Sequence, residues 1–105
     1  MKRGEVWWAD LPLPTGHRPV VLLSRDEAYQ VRELIIVTPV TTRVRNLPTE
    51  VRIGPIDGLP RPSVANLDSI NMIPKASLRE RIDILTTEKL RAVEAAIHFA
   101  LGLEE

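Results

Sequence analysis

Two unbroken apolar runs, Val20-Val21-Leu22-Leu23 and Leu34-Ile35-Ile36-Val37, constrain this chain more than any other feature. Neither alternates with polar residues, so each marks a strand that is buried rather than wet on one side. The first run is opened by His17-Arg18-Pro19, and the second closes on a hydroxyl cluster, Thr38-Pro39-Val40-Thr41-Thr42. A residue before proline is pushed to the extended region, which narrows the direction in which Arg18 sets out. A permanent cation and small hydroxyl donors therefore stand at the ends of rigid elements. A guanidinium beside hydroxyls is a cradle for phosphate, and it suits a nuclease that needs no metal.

The rest of the chain reads as more short strands and one helix. Residues 3–9 form a first strand whose two tryptophans, Trp7 and Trp8, face opposite ways, one to the core and one to a surface or interface. Residues 10–17 are a loop broken by two prolines and a glycine. Strands are expected at about 18–24 and 34–42, with Pro39 placing the second at an edge or a bulge. After a polar loop from Arg43 to Thr49, Glu50-Val51-Arg52-Ile53 alternates as a strand, and residues 54–62 are an irregular connection. Short strands follow at 63–65 and 68–73. Ser77-Leu78-Arg79-Glu80 has capping-box spacing for a helical turn, with a loop turn as the alternative, and Arg81 to Leu85 is a last strand.

The helix is expected from Thr86 or Thr87, whose hydroxyls suit the N-cap, to Gly102 as the residue that ends it. Leu90, Val93, Ile97 and Leu101 share one face, and Ala92, Ala95, Ala96, Phe99 and Ala100 widen the apolar arc past half the circumference. Arg91, Glu94 and His98 form a narrow polar stripe, with His98 expected to pair with Glu94. So apolar a helix needs cover on two sides, and a partner subunit is the natural second cover. Several closely spaced strands with one terminal helix indicate a small, strongly curved antiparallel barrel over a single domain, residues 1–105.

Composition removes whole classes. There is no cysteine, hence no disulfide framework, thiolate zinc site or thiol nucleophile. The net charge of +0 argues against a generic nucleic-acid coat, and 4% aromatics argue against a stacking platform for single strands. No window approaches the roughly 18 apolar residues of a membrane span, and Met1-Lys2-Arg3-Gly4-Glu5 lacks a signal peptide's apolar region. The expected location is the cytoplasm, with no membrane partner.

Six segments in order bring a family into view: Arg3-Gly4-Glu5-Val6-Trp7-Trp8-Ala9-Asp10-Leu11, Arg18 to Ser24, Ile35 to Thr42, Leu47 to Val51, Ser63 to Ile70, and Ala100-Leu101-Gly102-Leu103. Together they resemble the MazF/PemK family of toxin endoribonucleases from type II toxin–antitoxin systems. The resemblance implies an SH3-like barrel, a homodimer, and sequence-specific cleavage of single-stranded RNA without metal or cofactor. It also implies a cognate antitoxin whose partly disordered segment fills the RNA groove. The family's catalytic arginine maps onto Arg18, and its catalytic Thr or Ser at the end of the third strand onto Thr41. Two departures bear on substrate preference. The loop before Arg18 is short and lacks an acidic RNA-contacting residue of some members, and Asp68-Ser69-Ile70 replaces the usual Asp-Gln-Ile.

RNA carries its own nucleophile, the 2′-hydroxyl, so the enzyme has to align it and stabilise the phosphorane. Arg18 would bind the non-bridging oxygens, with Thr41 donating a further hydrogen bond, leaving 2′,3′-cyclic phosphate and 5′-hydroxyl ends. For the general base, arginine's pKa above about 12 is unsuitable, yet the family analogy favours it; His17, ordinarily near 6.5, is the alternative. His17, Thr42, Arg43 and Arg45 are candidate RNA contacts. The plain alternatives are an ion pair of Arg18 with Asp10 or Asp26 and solvated side chains elsewhere. Two rival functions share the pattern: a non-enzymatic, CcdB-type gyrase poison and a barrel-type binding adaptor. The poison reading expects a tryptophan near the C-terminus, whereas the last tryptophan here is Trp8.

Overall fold

The computed structural model describes residues 1–103. Strands β1 (Glu5–Asp10), β2 (His17–Leu22), β3 (Leu34–Thr41), β4 (Glu50–Ile53), β5 (Ser63–Asn66), β6 (Asn71–Pro74) and β7 (Leu78–Ile84) form one antiparallel sheet. Its order is β4-β5-β3-β2-β1-β7, with β6 also paired to β3. The sheet curls into a half-barrel, helped by two register shifts between β1 and β7, at Val6/Trp7 and Trp8/Ala9. Helix α1 (Ala28–Val31) is one turn, and α2 (Thr87–Ala100) follows the last strand.

Strand β3 is the hub. One edge pairs with β2; the other pairs first with β6, through Val37↔Asn71, and then with β5, from Val40↔Ala65. The expectation that Pro39 puts this strand at an edge or a bulge is corrected here. Ile36 turns its N–H to Ser24 Oγ and its C=O to the Leu23 N–H, on the β2 side. By alternation Pro39 faces the other edge, in the gap between β6 and β5, where no partner needs its missing N–H.

A core on each face explains the run Val20–Leu23, but the run 34–37 is corrected: Ile35 and Val37 are buried while Leu34 and Ile36 are 48% and 40% exposed, so that end of β3 is covered on one face only. Val21, Leu23 and Val40 pack with Val6, Ile53, Leu67 and Val93 beneath α2. Val20, Leu22, Ile35 and Val37 pack with Tyr29, Ile73 and Leu78 on the other side. Ser77–Glu80 is not the helical turn its capping-box spacing suggested: residues 75–77 form a short 3₁₀ turn and β7 begins at Leu78, because pairing with β1 wins over local propensity. The tryptophans do face opposite ways, but both are half-buried, so neither is a simple core or surface residue.

Helix α2 is bounded as its caps dictate. Thr86 Oγ1 accepts from the Lys89 N–H at 3.2 Å, and Gly102, at φ 67°, allows the Leu103 and Gly102 N–H groups to reach the His98 and Phe99 carbonyls. Burial centres on Val93 and Ala96, whereas Leu101 is 59% exposed at the helix end, contrary to its place on the expected buried face. Glu94 pairs with Arg3, across 91 positions, rather than with His98. No described helix is long and apolar enough to cross a membrane.

Candidate active site

Strand alternation decides what can meet what on β2. Its register with β1, Ala9↔Arg18 and Asp10↔His17, sends Arg18 and Val20 to one face and His17 and Pro19 to the other. On the first face a cavity of about 280 Å³ has an apolar floor of Val20, Val37 and Ile73 and a polar wall of Arg18, Thr15, Ser69 and Asn71, with Leu11 and Pro39 completing it. Arg18 is half-buried, and none of the ion pairs among the described residues involves it.

The carboxylates that might have held Arg18 have other partners. Asp10 Oδ1 lies 2.7 Å from His17 Nδ1, and Asp10 Oδ2 accepts from Arg79 Nε at 2.7 Å. Those bonds, His17 first and Arg79 second, hold the Asp10 carboxyl below its ordinary range. Asp26 accepts from the Arg3 backbone N–H at 2.8 Å. The Arg18 guanidinium is therefore left facing hydroxyls and an amide, the setting in which it can take up a phosphate.

Thr41 ends β3, half-buried, and its Oγ1 accepts from the Arg43 N–H at 3.2 Å. The β2–β3 register runs Leu22↔Val37, Val21↔Thr38, Val20↔Pro39. Continued by two residues, it sets Arg18 across from Thr41 on the same face. Thr41 does not itself line the Arg18 cavity. The hydroxyl's acceptor side is occupied by Arg43, which leaves its proton free to donate.

The remaining candidates lie elsewhere. His17 stacks on Trp8, with ring centroids 4.7 Å apart and planes 7° off parallel, on the face away from Arg18. Thr42 lines a separate cleft with Trp8, Pro19, Val40 and Arg61. Arg43 and Arg45 are exposed on the loop after β3, and the Arg45 N–H donates to Glu50 Oε1 at 2.9 Å. Among the described residues no three His, Asp or Glu side chains gather as metal ligands.

Ser69, already marked as a departure that bears on substrate preference, joins Arg18 in the cavity together with Thr15 and Asn71, which the sequence reading did not mark. The available signal was periodic: Asn71 is two positions from buried Ile73, so it shares that residue's face of β6. What the sequence could not supply was that β6 lies beside β3.

A family model described as PemK-like, MazF-like toxin of type II toxin–antitoxin system matches residues 2–101. A probable endoribonuclease, MazF5 of Mycobacterium tuberculosis, is 41% identical over 100 residues, covering 94% of this chain and 91% of that protein. The structure of the Mycobacterium tuberculosis toxin MazF-mt6 superposes with a TM-score of 0.89 at 33% identity, over 96% of this chain and 99% of that one. A mycobacterial endoribonuclease solved in complex with its cognate antitoxin gives a TM-score of 0.88 at 28% identity, covering 100% and 98%.

Proposed function

This chain belongs to the PemK-like, MazF-like toxin family of type II toxin–antitoxin systems, and we propose that, as an endoribonuclease, it cuts single-stranded RNA through Arg18 and Thr41 without a metal. The observation that carries the assignment is Arg18 itself: half-buried, paired with no carboxylate among the described residues, lining a partly polar cavity and, by the continued register, across from Thr41. A cation held in that state has its desolvation partly met in advance and its donors unspent.

In the reaction the RNA 2′-hydroxyl attacks the adjacent phosphorus and the 5′-oxygen leaves, giving a 2′,3′-cyclic phosphate and a 5′-hydroxyl. Arg18 donates to the non-bridging oxygens as negative charge grows on them, and Thr41 adds a hydrogen bond. The substrate supplies the nucleophile, so the protein's work is orientation and charge stabilisation. The proton lost by the 2′-hydroxyl is balanced by the one gained at the 5′-oxygen, and His17, on the opposite face of β2, carries neither. Arg43 and Arg45, exposed beyond Thr41, supply cations along the RNA backbone.

The natural setting of this activity is the cytoplasm, as a homodimer through α2, held in check by a cognate antitoxin. The solved complex of a related endoribonuclease with its antitoxin supports that partner. Arg18→Ala and Thr41→Ala each lower cleavage by about 10²–10³-fold while remaining folded dimers. Full activity in both would sink the site assignment. Growth arrest that survives Arg18→Ala would instead favour a gyrase poison or an adaptor.

A further inference from the structure

The cavity beside Arg18 has a hydrogen-bonding polarity that its lining alone does not reveal. Asn71 Oδ1 accepts from the Met72 N–H at 2.8 Å, which fixes the amide's orientation and leaves both Nδ2 hydrogens unspent. Ser69 Oγ accepts from Asn66 Nδ2 at 3.3 Å, so what it retains for a ligand is its proton. Arg18 has donors only. Among the described residues no carboxylate lines the cavity, and its floor is the apolar surface of Val37 and Ile73.

Arg18 and the Asn71 amide nitrogen present donors alone over the apolar floor, so a base edge that meets them with two acceptors is favoured over one that must donate there. Its volume of about 280 Å³ falls just short of the roughly 300–1,000 Å³ of drug-sized ligand sites and suits one nucleobase. Two bases present adjacent acceptors on one edge: guanine with O6 and N7, cytosine with O2 and N3. Adenine sets its donor amine next to N1 and next to N7, and uracil places its N3–H between two carbonyls.

Resting on the nuclease reading above, we propose that Asn71 and Ser69 are specificity residues that select cytosine or guanine at one position beside the scissile phosphate. Arg18 spans the two tasks, because its side chain lines the pocket and the continued β2–β3 register sets its position across from Thr41. The selection resides in the short strand β6 and the turn before it. The loop after β1 contributes Leu11 and Thr15 to the lining.

The test is end-mapped cleavage of an RNA library randomised around the cut, in EDTA, by the wild-type chain, Asn71→Ala and Ser69→Ala. Both positions are exposed, and circular dichroism confirms that the variants fold. The wild-type protein is expected to require C or G at one flanking position. Asn71→Ala is expected to flatten that preference by about tenfold or more, with a smaller loss for Ser69→Ala. Wild-type cutting without a C or G requirement, or an unchanged preference in both variants, overturns the pocket alone. No cutting by the wild-type chain overturns the nuclease reading and the pocket with it.

Discussion

Tyr29 shows how one side chain sets a pH limit on the whole domain. It is buried against the Leu22 and Ile35 side of the sheet, its hydroxyl donating to the Ser24 carbonyl at 3.0 Å. Burial pushes its pKa up to about 12 from the ordinary 10.0. The unfolded chain therefore ionises first. Stability from this group is complete below about pH 10 and is lost as pH climbs toward 12, by about 2–3 kcal/mol. The chain has one tyrosine, so tyrosinate absorbance reports this group alone. It should appear together with unfolding and well above pH 10, and Tyr29→Phe should remove that alkaline limit. A tyrosinate transition near pH 10 in the folded protein would contradict the burial argument. Residue-scale legibility was uneven. The direction in which Arg18 starts was readable from Pro19, and the opposite direction of His17 follows from simple alternation. The partners of Asp10, Glu94 and Asp57 were not readable, because Arg79, Arg3 and Lys89 lie 69, 91 and 32 positions away.

Elements defined by local patterns were largely legible, and elements defined by pairing were not. The apolar runs located β2 and β3, and Thr86 and Gly102 bounded α2, since caps are set within a few residues of the chain. The start of β7 at Leu78 and the tolerance of Pro39 in a central strand both depend on neighbours far away in sequence. Helix α2 is held to the sheet by Val93 and Ala96, by Lys89 bound to buried Asp57 at 2.8 Å, and by a close approach at Gly4. Gly4 has φ 90°, and a Cβ there would meet Leu90 Cδ2 at 3.3 Å, so substitution meets both backbone strain and contact. Ala96→Asp, which buries an unpaired carboxylate, should destabilise the fold by about 3 kcal/mol or more. Thr86→Ala, which removes only the cap, should lose about 1 kcal/mol. Urea titration separates the two, and equal midpoints would argue against this account of α2.

Over the whole molecule the two-sided core explains why so small a chain keeps a rigid site: the strands that carry Arg18 and Thr41 are gripped from both faces. The apolar arc of α2 is not fully used in this packing. Ala92, Ala95 and Phe99 border an open groove with Pro48 and Val51, and Phe99 is 53% exposed. If the homodimer forms there, Ala95→Glu should leave the urea midpoint of the isolated fold nearly unchanged and shift the solution mass to that of a monomer. An unchanged mass would place the subunit contact elsewhere. Metal-free RNA cleavage through Arg18 is checked by digesting a long mixed-sequence RNA in EDTA with the wild-type chain and with Arg18→Ala and identifying the new ends chemically. Discrete cuts ending in 2′,3′-cyclic phosphate are expected from the wild-type chain and none above background from the variant. Cutting that requires added metal, or that persists undiminished in Arg18→Ala, would contradict it.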